Sequence, residues 1–228
     1  MNRKILITGA NRGLGLVACE SFSKDGWEVL PFTRKELDYT NIHPSWLIGL
    51  SEDIEVVLHC AGGGMGLRGP LMTPQELYAL FMVNLGGAIE INRRFAPRMM
   101  AEGYGRIIHV CSIASGEAVG SVGYNTVKAA LGAYVRSLGR ELAPYGVVVS
   151  GIAPGGFQAP GNSMERLRER NPEAYADFTK NRLPRGHMGK AEELLPILKF
   201  LASKEASMMG GCLVPIDAGE GHYYCACC

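Results

Sequence analysis

The stretch KILITGANRGLG, residues 4–15, decides the fold. It opens with an apolar run at 4–8 that is typical of a buried strand, and it continues through three glycines into a helical pattern at 14–25. The glycines allow a tight turn and a close approach of backbone to an anion, while the helix points its first amides at the same place. The stretch therefore predicts a strand, a phosphate-binding loop and a helix, although a short glycine motif can also be a mere tight turn.

Further apolar runs alternate with longer helical patterns along the whole chain. Strands are predicted at 28–32, 55–59, 106–110, 147–152 and 212–216, and helices at 74–100, 124–143 and 191–203. Strands without polar alternation are buried on both faces, as in a parallel sheet between helices. The pattern predicts one α/β domain over residues 1–228 with a doubly wound parallel sheet, and a shortened crossover after the second strand.

Composition excludes several classes of protein. With 23 basic and 22 acidic residues the net charge is +1, which offers no footprint for nucleic acid or an anionic membrane. No apolar run reaches the roughly 18 residues of a membrane span, and the start is too short in apolar residues for a secretory signal. Most of the seven cysteines stand singly in apolar segments, so we expect a reducing, cytoplasmic location. The cluster at 225–228 lacks partner ligands elsewhere; we favour an idle tail over a metal site.

Two patterns downstream carry chemistry. Tyr124 and Lys128 are four residues apart, so on a helix they share one face. An ammonium group there stabilises the phenolate form of a tyrosine, which suits that tyrosine to proton exchange. Ser112 ends a predicted strand. Taken singly, an exposed helical pair and a capping serine would explain these residues as well.

Together these motifs resemble the short-chain dehydrogenase/reductase family over essentially the whole chain. The resemblance rests on the three residues between Gly9 and Gly13, on Tyr124-x-x-x-Lys128, and on the strand-end Ser112. It implies a Rossmann-type fold and hydride transfer between a nicotinamide cofactor and a small-molecule carbonyl or secondary alcohol substrate. A catalytically inactive sensor or scaffold that binds the same nucleotide is the alternative, but binding alone does not require a proton donor.

The resemblance also implies a role for each catalytic position. Tyr124 would exchange the proton, Ser112 would bind the substrate oxygen, and Lys128 would also hold the nicotinamide ribose. Asn84 would anchor a water that relays protons through Lys128. Ser115 competes with Ser112 for the serine role, because the interval from Ser112 to Tyr124 is slightly short for the family.

The cofactor contacts implied by the resemblance lie in four places. They are Gly9, Asn11, Arg12, Gly13, Leu14 and Gly15 in the glycine loop; Arg34, Asp38 and Tyr39 after the second strand; Ala61, Gly62 and Gly63 after the third; and Pro154, Gly155 and Gly156 after the fifth. Two departures stand out. His59-Cys60 replaces two asparagines, and the Pro-Gly loop lacks its threonine, so the Phe157 backbone or Gln158 would have to contact the carboxamide.

Charge favours NADP(H) as the cofactor. NAD-preferring sites usually place an acid at the end of the second strand, and here that strand ends in Phe32-Thr33-Arg34. Arg12 and Arg34 suit a 2′-phosphate, which guanidinium groups bind in bidentate fashion, unless both are simply solvated. Glu36 could approach the ribose across the shortened crossover, which leaves NAD open.

Two segments bear on substrate and assembly. Residues 161–188 are interpreted as a lid, and their charged pattern favours a polar or anionic substrate, such as a carrier-bound acyl group or a sugar nucleotide. Small and apolar residues at 129–134 predict a homodimer or homotetramer that pairs through this helix. The same pattern would also suit packing on the sheet.

Overall fold

The apolar runs of the sequence form parallel strands in a computed structural model, which describes residues 3–35 and 53–222. The main strands are β1 (Lys4–Thr8), β2 (Glu28–Phe32), β3 (Val56–His59), β4 (Gly105–Val110), β5 (Val147–Pro154) and, after a short pair, β8 (Leu213–Ile216). They form one six-stranded sheet in the order β2-β1-β3-β4-β5-β8. Every neighbouring pair is parallel. The predicted doubly wound α/β fold is confirmed.

Helices cover both faces of this sheet. They are α1 (Gly13–Lys24), α2 (Pro74–Phe81), α3 (Gly87–Glu102), α4 (Val122–Leu142), α5 (Ser163–Arg170), α6 (Pro172–Arg182) and α7 (Leu195–Leu201). Leu6, Val57 and Ile107 pack on the side that includes α3 and α4, whereas Ile5 and Ile7 pack on the side of α1 and α7. Successive strand residues therefore enter opposite cores, which explains why the strands show no polar alternation. None of the helices within 3–35 and 53–222 has both the length and the apolar character to cross a membrane.

The strand order reverses beside β1. The chain passes from β1 to β2 on one side and then returns to place β3 on the other side. At such a switch point the loops after the two central strands diverge, and the crevice between them is the usual binding site of an open α/β sheet. The connection that leads from β2 to β3 contains residues 36–52, so the predicted shortened crossover lies outside the described residues.

The helix predicted at 74–100 is one continuous run with a π-helical turn at Met82–Gly86 in its middle. The side chain of Asn84 donates to the carbonyl oxygen of Leu80 at 2.9 Å. That carbonyl is the one an α-helix would offer to the backbone N–H of Asn84, so the side chain takes over the helical partner. The prediction of a helix was right, and the local widening of the helix was missed.

A helical segment leaves and rejoins the sheet beyond β5. It is bounded by β6 (Phe157–Gln158) and β7 (Gly189–Lys190), two short strands that pair in parallel. Between them lie α5 and α6, with Asn162 capping α5 through its side-chain oxygen. The sequence indicated the excursion at 161–188 but not the strand pair that closes its base.

Candidate active site

The glycine loop fills the space between the carboxyl ends of β1 and β3. Gly9 and Gly13 have φ values of +67° and +62°, in the left-handed region that favours glycine. A Cβ on Gly9 would lie 2.9 Å from the backbone nitrogen of Ala61, and one on Gly15 would overlap the Gly9 carbonyl oxygen. Glycine at these positions lets the loop lie against β3 and lets α1 start directly above β1.

The N-terminus of α1 is suited to hold an anion. Arg12 stands at the N-cap in an extended conformation, and within the described residues its side chain makes no capping hydrogen bond. The first amides of a helix need acceptors. The Gly13 N–H donates to the Pro160 carbonyl oxygen at 2.6 Å, and a pyrophosphate at the helix N-terminus would supply an acceptor to the amides that follow. Asn11 and Arg12 are exposed at the mouth of the loop, while buried Leu14 anchors the helix. The loop therefore fits a dinucleotide phosphate.

Asn84 fastens the loop that follows β3. Its Nδ2 donates to the carbonyl oxygen of Gly63 at 3.0 Å, and its Oδ1 accepts from the Gly63 N–H at 3.0 Å. A Cβ on Gly62 would lie 2.8 Å from Asn84 Oδ1 and 3.4 Å from Lys128 Nζ. The absence of a side chain on Gly62 thus allows a buried amide and a buried ammonium group to approach the same point of the loop.

Tyr124 and Lys128 lie one turn apart at the start of α4, as predicted. Ser121 caps the helix by accepting from the Tyr124 N–H at 3.4 Å. Lys128 is only 3% exposed and donates from Nζ to the carbonyl oxygen of Val110 at 3.0 Å. Its Nζ lies 5.7 Å from the centroid of the Tyr124 ring. A Cβ on Gly64 would touch the same ring at 3.9 Å, so the tyrosine stands beside the loop after β3.

Ser112 lies at the carboxyl end of β4, two residues beyond the partner of Lys128. Its Oγ accepts from the Ala114 N–H at 3.1 Å and so caps a short 3-10 turn. Ser115 donates from its hydroxyl to the Ser112 carbonyl oxygen at 2.7 Å. Both hydroxyl groups therefore bind backbone groups of the same turn, so these contacts do not distinguish the two serines, and the choice of Ser112 stays a prediction.

The Pro-Gly loop after β5 is held by backbone hydrogen bonds. The Gly155 N–H donates to Ile216 at 3.2 Å, and the Gly156 carbonyl accepts from Gly189 at 3.1 Å. The side-chain amide of Gln158 has two orientations that make hydrogen bonds. In one, its oxygen accepts from the Tyr175 hydroxyl at 3.3 Å. In the other, with oxygen and nitrogen exchanged, the oxygen accepts from the Arg168 guanidinium at 2.6 Å. Because Gln158 serves the α5–α6 segment in either orientation, the loop backbone is the better candidate for the carboxamide contact.

The predicted 2′-phosphate residues are only partly placed. Arg34 is exposed in the turn after β2. Arg12 is exposed beside the start of the α5–α6 segment, since a Cβ on Gly161 would lie 3.6 Å from the Cβ of Arg12. The adenine-side candidates Asp38 and Tyr39 lie outside the described residues, as does Glu36. Their roles stay predictions.

Comparison with known proteins matches this geometry to a family. A family model described as enoyl-(acyl carrier protein) reductase matches residues 48–220, which is more than half of the chain. The chain belongs to the short-chain dehydrogenase/reductase family. Relatives in this family are nicotinamide-dependent oxidoreductases, so the predicted enzyme class is confirmed.

Individual proteins resemble the chain over 90% of its length or more. The 3-oxoacyl-[acyl-carrier-protein] reductase MabA of Mycobacterium avium is 28% identical, over 97% of this chain and 91% of that protein. The 2-dehydro-3-deoxy-L-rhamnonate dehydrogenase (NAD(+)) of Sphingomonas sp. (strain SKA58) is 27% identical, over 90% of each. The solved structure of the TT0495 protein from Thermus thermophilus has a TM-score of 0.83 at 27% identity, covering 98% of this chain and 100% of that one.

A buried aromatic cluster beneath the site was missed from the sequence. The rings of His59 and His109 stack with centroids 4.5 Å apart, because β3 and β4 pair these two residues in register. His59 Nε2 lies 2.9 Å from Asn92 Oδ1, and the Asn92 amide donates to the Tyr134 hydroxyl at 3.1 Å. Burial lowers the pKa of His59 to about 4 and that of His109 well below its usual value. Both rings are therefore neutral at physiological pH and stack on each other in the interior. The sequence signal that could have indicated this cluster is His59-Cys60, which stands where the family has two asparagines.

Four cysteines lie in the part of the chain that the structure describes. Cys19, Cys60, Cys111 and Cys212 are free thiols in the described ranges. Burial raises the pKa of Cys19 and of Cys111 to about 11, and it also raises that of Cys60. The thiols of Cys19, Cys60 and Cys111 are therefore protonated at neutral pH and are poor nucleophiles. Residues 3–35 and 53–222 contain no group of three or more potential metal ligands, and the cysteines at 225–228 lie outside them.

Proposed function

We propose that this enzyme is an NADP(H)-dependent reductase that moves a hydride between nicotinamide and a carbonyl or secondary alcohol. The observation that carries the proposal is the convergence of Asn84 and Lys128 on Gly62, with the Tyr124 ring against the next turn of the same loop. This group of side chains lies at the switch point, beside a glycine loop that fits a pyrophosphate. A proton donor, a cation and a cofactor cradle thus share one edge of the sheet.

The chain's own residues handle the proton and the orientation of the substrate. When bound, the nicotinamide would supply or accept the hydride. In the reductive direction Tyr124 donates its hydroxyl proton to the substrate oxygen, which Ser112 holds by a hydrogen bond. The Lys128 ammonium stabilises the phenolate that results, and the proton is restored through a water anchored at Asn84. Because Lys128 is buried and fixed to Val110, its charge is held in place rather than dispersed in solvent.

Arg12 and Arg34 support a preference for NADPH over NADH. We expect Arg34→Ala to weaken NADPH binding while leaving NADH binding nearly unchanged, because a lost charge-assisted hydrogen bond costs roughly 1.5–3 kcal/mol. Calorimetric titration of both cofactors measures this, with the exposed Arg140→Ala on α4 as the control variant. Equal affinities of the unmodified enzyme for the two cofactors, or tighter binding of NADH, would contradict the proposal and would favour the role considered for Glu36.

We further propose that residues 1–228 form one domain in which 161–188 act as a substrate lid. Three exposed or half-buried arginines of α5, Arg166, Arg168 and Arg170, support a polar or anionic substrate. A cavity of about 400 Å³ lies between the end of this segment and the loop after β8, lined in part by Phe157, Leu183 and Ile216. Its lining combines these apolar side chains with charged ones from the end of the same segment and from the loop after β8, and this mixture suits an acyl group attached to a charged carrier, or a sugar derivative.

We propose a homodimer or homotetramer that pairs through α4. On this helix Leu131 and Gly132 are buried, whereas Ala129 and Ala133 are exposed on the opposite side, where their small size allows a second helix to approach closely. Light scattering of the purified enzyme should therefore give at least twice the chain mass of 24.6 kDa. A mass of one chain at micromolar concentration would contradict pairing.

A reducing, cytoplasmic location is part of the same proposal. The free thiols of Cys19, Cys60, Cys111 and Cys212 support it, because an oxidising compartment favours disulfides. We assign no nucleic-acid, membrane or metal partner, in keeping with a net charge of +1. The partner that we do assign is the small-molecule carbonyl or alcohol substrate.

A further inference from the structure

A buried carboxylate stands outside the proton-transfer group, at the loop after β8. Glu220 is 3% exposed, and its two oxygens reach two different parts of the chain. Oε2 accepts from the Gly156 N–H at 2.5 Å, and Oε1 accepts from Arg182 Nε at 2.9 Å. Gly156 belongs to the Pro-Gly loop, and Arg182 is the last residue of α6. One side chain thus joins the expected nicotinamide wall to the end of the proposed lid.

The local sequence holds this carboxylate in place. Asp217 accepts from the N–H groups of Gly219 and Gly221, each at 3.0 Å, and its carbonyl accepts from the Glu220 N–H at 3.0 Å. A Cβ on Gly155 would lie 2.6 Å from Glu220 Oε2, so the Pro-Gly loop lies directly against the carboxylate. A buried charge is costly unless it is paired and hydrogen-bonded, and Glu220 has both kinds of partner.

The two ends of the α5–α6 segment rest on the two loops that would hold the cofactor. At its start, the Pro160 carbonyl accepts from the Gly13 N–H at 2.6 Å in the glycine loop. At its end, Arg182 is tied through Glu220 to Gly156. Both backbone groups of Gly156 have partners, because its N–H donates to Glu220 and its carbonyl oxygen accepts from the Gly189 N–H at 3.1 Å. A displacement of α6 would therefore be transmitted to the Pro-Gly loop through Glu220.

We propose that Glu220 is a positioning residue that latches the lid through Arg182 and, by the same carboxylate, fixes the Pro-Gly loop against bound NADPH. The inference rests on the proposed lid and cofactor roles. It gives the Pro-Gly loop a fixed position, from which the loop backbone can contact the carboxamide in place of the missing threonine. The lid and the nicotinamide wall then depend on the same side chain through two separate contacts, one on each carboxylate oxygen.

The variants separate the two contacts of Glu220. Arg182→Gln removes the lid contact and keeps the bond to Gly156, so proteolysis within 161–188 should accelerate about tenfold or more while the Kd for NADPH changes little. Glu220→Gln replaces one acceptor oxygen by an NH₂ group, which cannot accept from either the Gly156 N–H or Arg182, and it removes the negative charge that both contacts share. This variant should therefore accelerate proteolysis and also weaken NADPH binding by about tenfold or more. Arg182→Lys, which keeps the charge, should restore part of the protection.

The experiment is limited proteolysis with and without NADPH, together with NADPH titration. Arg185→Gln is the matched control, because it breaks the exposed Arg185–Glu193 pair near the same end of the lid and should change neither readout by more than about fivefold. The double variant of Arg182 and Glu220 should be no worse than Glu220→Gln alone, since both act through one contact.

Wild-type protection and NADPH affinity in both single variants would overturn the proposal. It would also fail if the variants only lowered the melting temperature, or if the double variant showed additive losses. None of these readouts needs turnover. The latch is therefore tested even where no carbonyl compound is reduced, and a failure of the latch leaves the hydride-transfer proposal standing.

Discussion

Tyr124→Phe should lower the single-turnover rate of carbonyl reduction by at least about 10²–10⁴-fold, the usual contribution of general acid–base catalysis. In the proposed mechanism the substitution removes the hydroxyl proton that Tyr124 transfers to the substrate oxygen, while Ser112 can still hold that oxygen by a hydrogen bond. The ring remains, with its contacts to Gly64 and to the Lys128 ammonium, so folding and NADPH affinity should change little. The decay of reduced-nicotinamide absorbance measures the rate, and calorimetry measures the affinity.

Two further variants sharpen this prediction. Ser112→Ala should also slow turnover while leaving NADPH binding intact, whereas Tyr145→Phe provides a control at an exposed tyrosine near the far end of α4. A sensor or scaffold would have no turnover to lose and would bind NADPH equally in all four proteins. If Tyr124→Phe kept the wild-type rate, the catalytic assignment would be wrong, and Ser112 and Lys128 would need new roles with it.

Lys128→Met should be more damaging than Tyr124→Phe because it acts on both catalysis and binding. The phenolate of Tyr124 loses its stabilising charge, and the ribose loses a donor, so NADPH affinity should fall by about tenfold or more in addition to the rate. The carbonyl oxygen of the half-buried Val110 also loses the hydrogen bond that it receives from Nζ, so folding stability should fall by about 1 kcal/mol.

Lys199→Met is the control for this variant. Lys199 pairs with Asp25 at 2.8 Å on the outside of α7, with 36% of its side chain exposed, so its loss should change stability, affinity and rate only slightly. If Lys128→Met bound NADPH as tightly as the wild type, Lys128 would have no role at the ribose. A wild-type rate would remove its role in proton transfer.

The sheet and the glycine loop were predictable because their signals are local. Strand runs such as Lys4–Thr8 and Glu28–Phe32 were placed with their observed bounds. The central strand β1 is almost continuously apolar because it is buried on both faces, whereas the edge strand β2 is partly exposed and was recognised as a short apolar run. Gly9, Gly13 and Gly15 are demanded by backbone geometry and close approach, which the spacing alone reveals. The four-residue interval of Tyr124 and Lys128 likewise follows from helix geometry.

The remaining features depend on contacts between distant residues. The stacking of His59 on His109 requires the register of β3 on β4, which no local pattern gives. The π-helical turn at Asn84 accompanies a side-chain amide that donates to the carbonyl oxygens of both Leu80 and Gly63. Glu220 lies 64 positions from Gly156 in sequence, so its latch becomes visible only when the fold is known.

The most direct test of the central claim is hydride transfer itself. NADPH deuterated at its transferable position would be mixed with a panel of 3-oxoacyl thioesters and keto-sugar acids, and the products would be analysed by mass spectrometry. The account predicts that at least one carbonyl compound becomes an alcohol with one deuterium on the carbinol carbon, and that Tyr124→Phe suppresses its formation. NADPH oxidation without deuterium in the alcohol, or equal product from Tyr124→Phe, would contradict it.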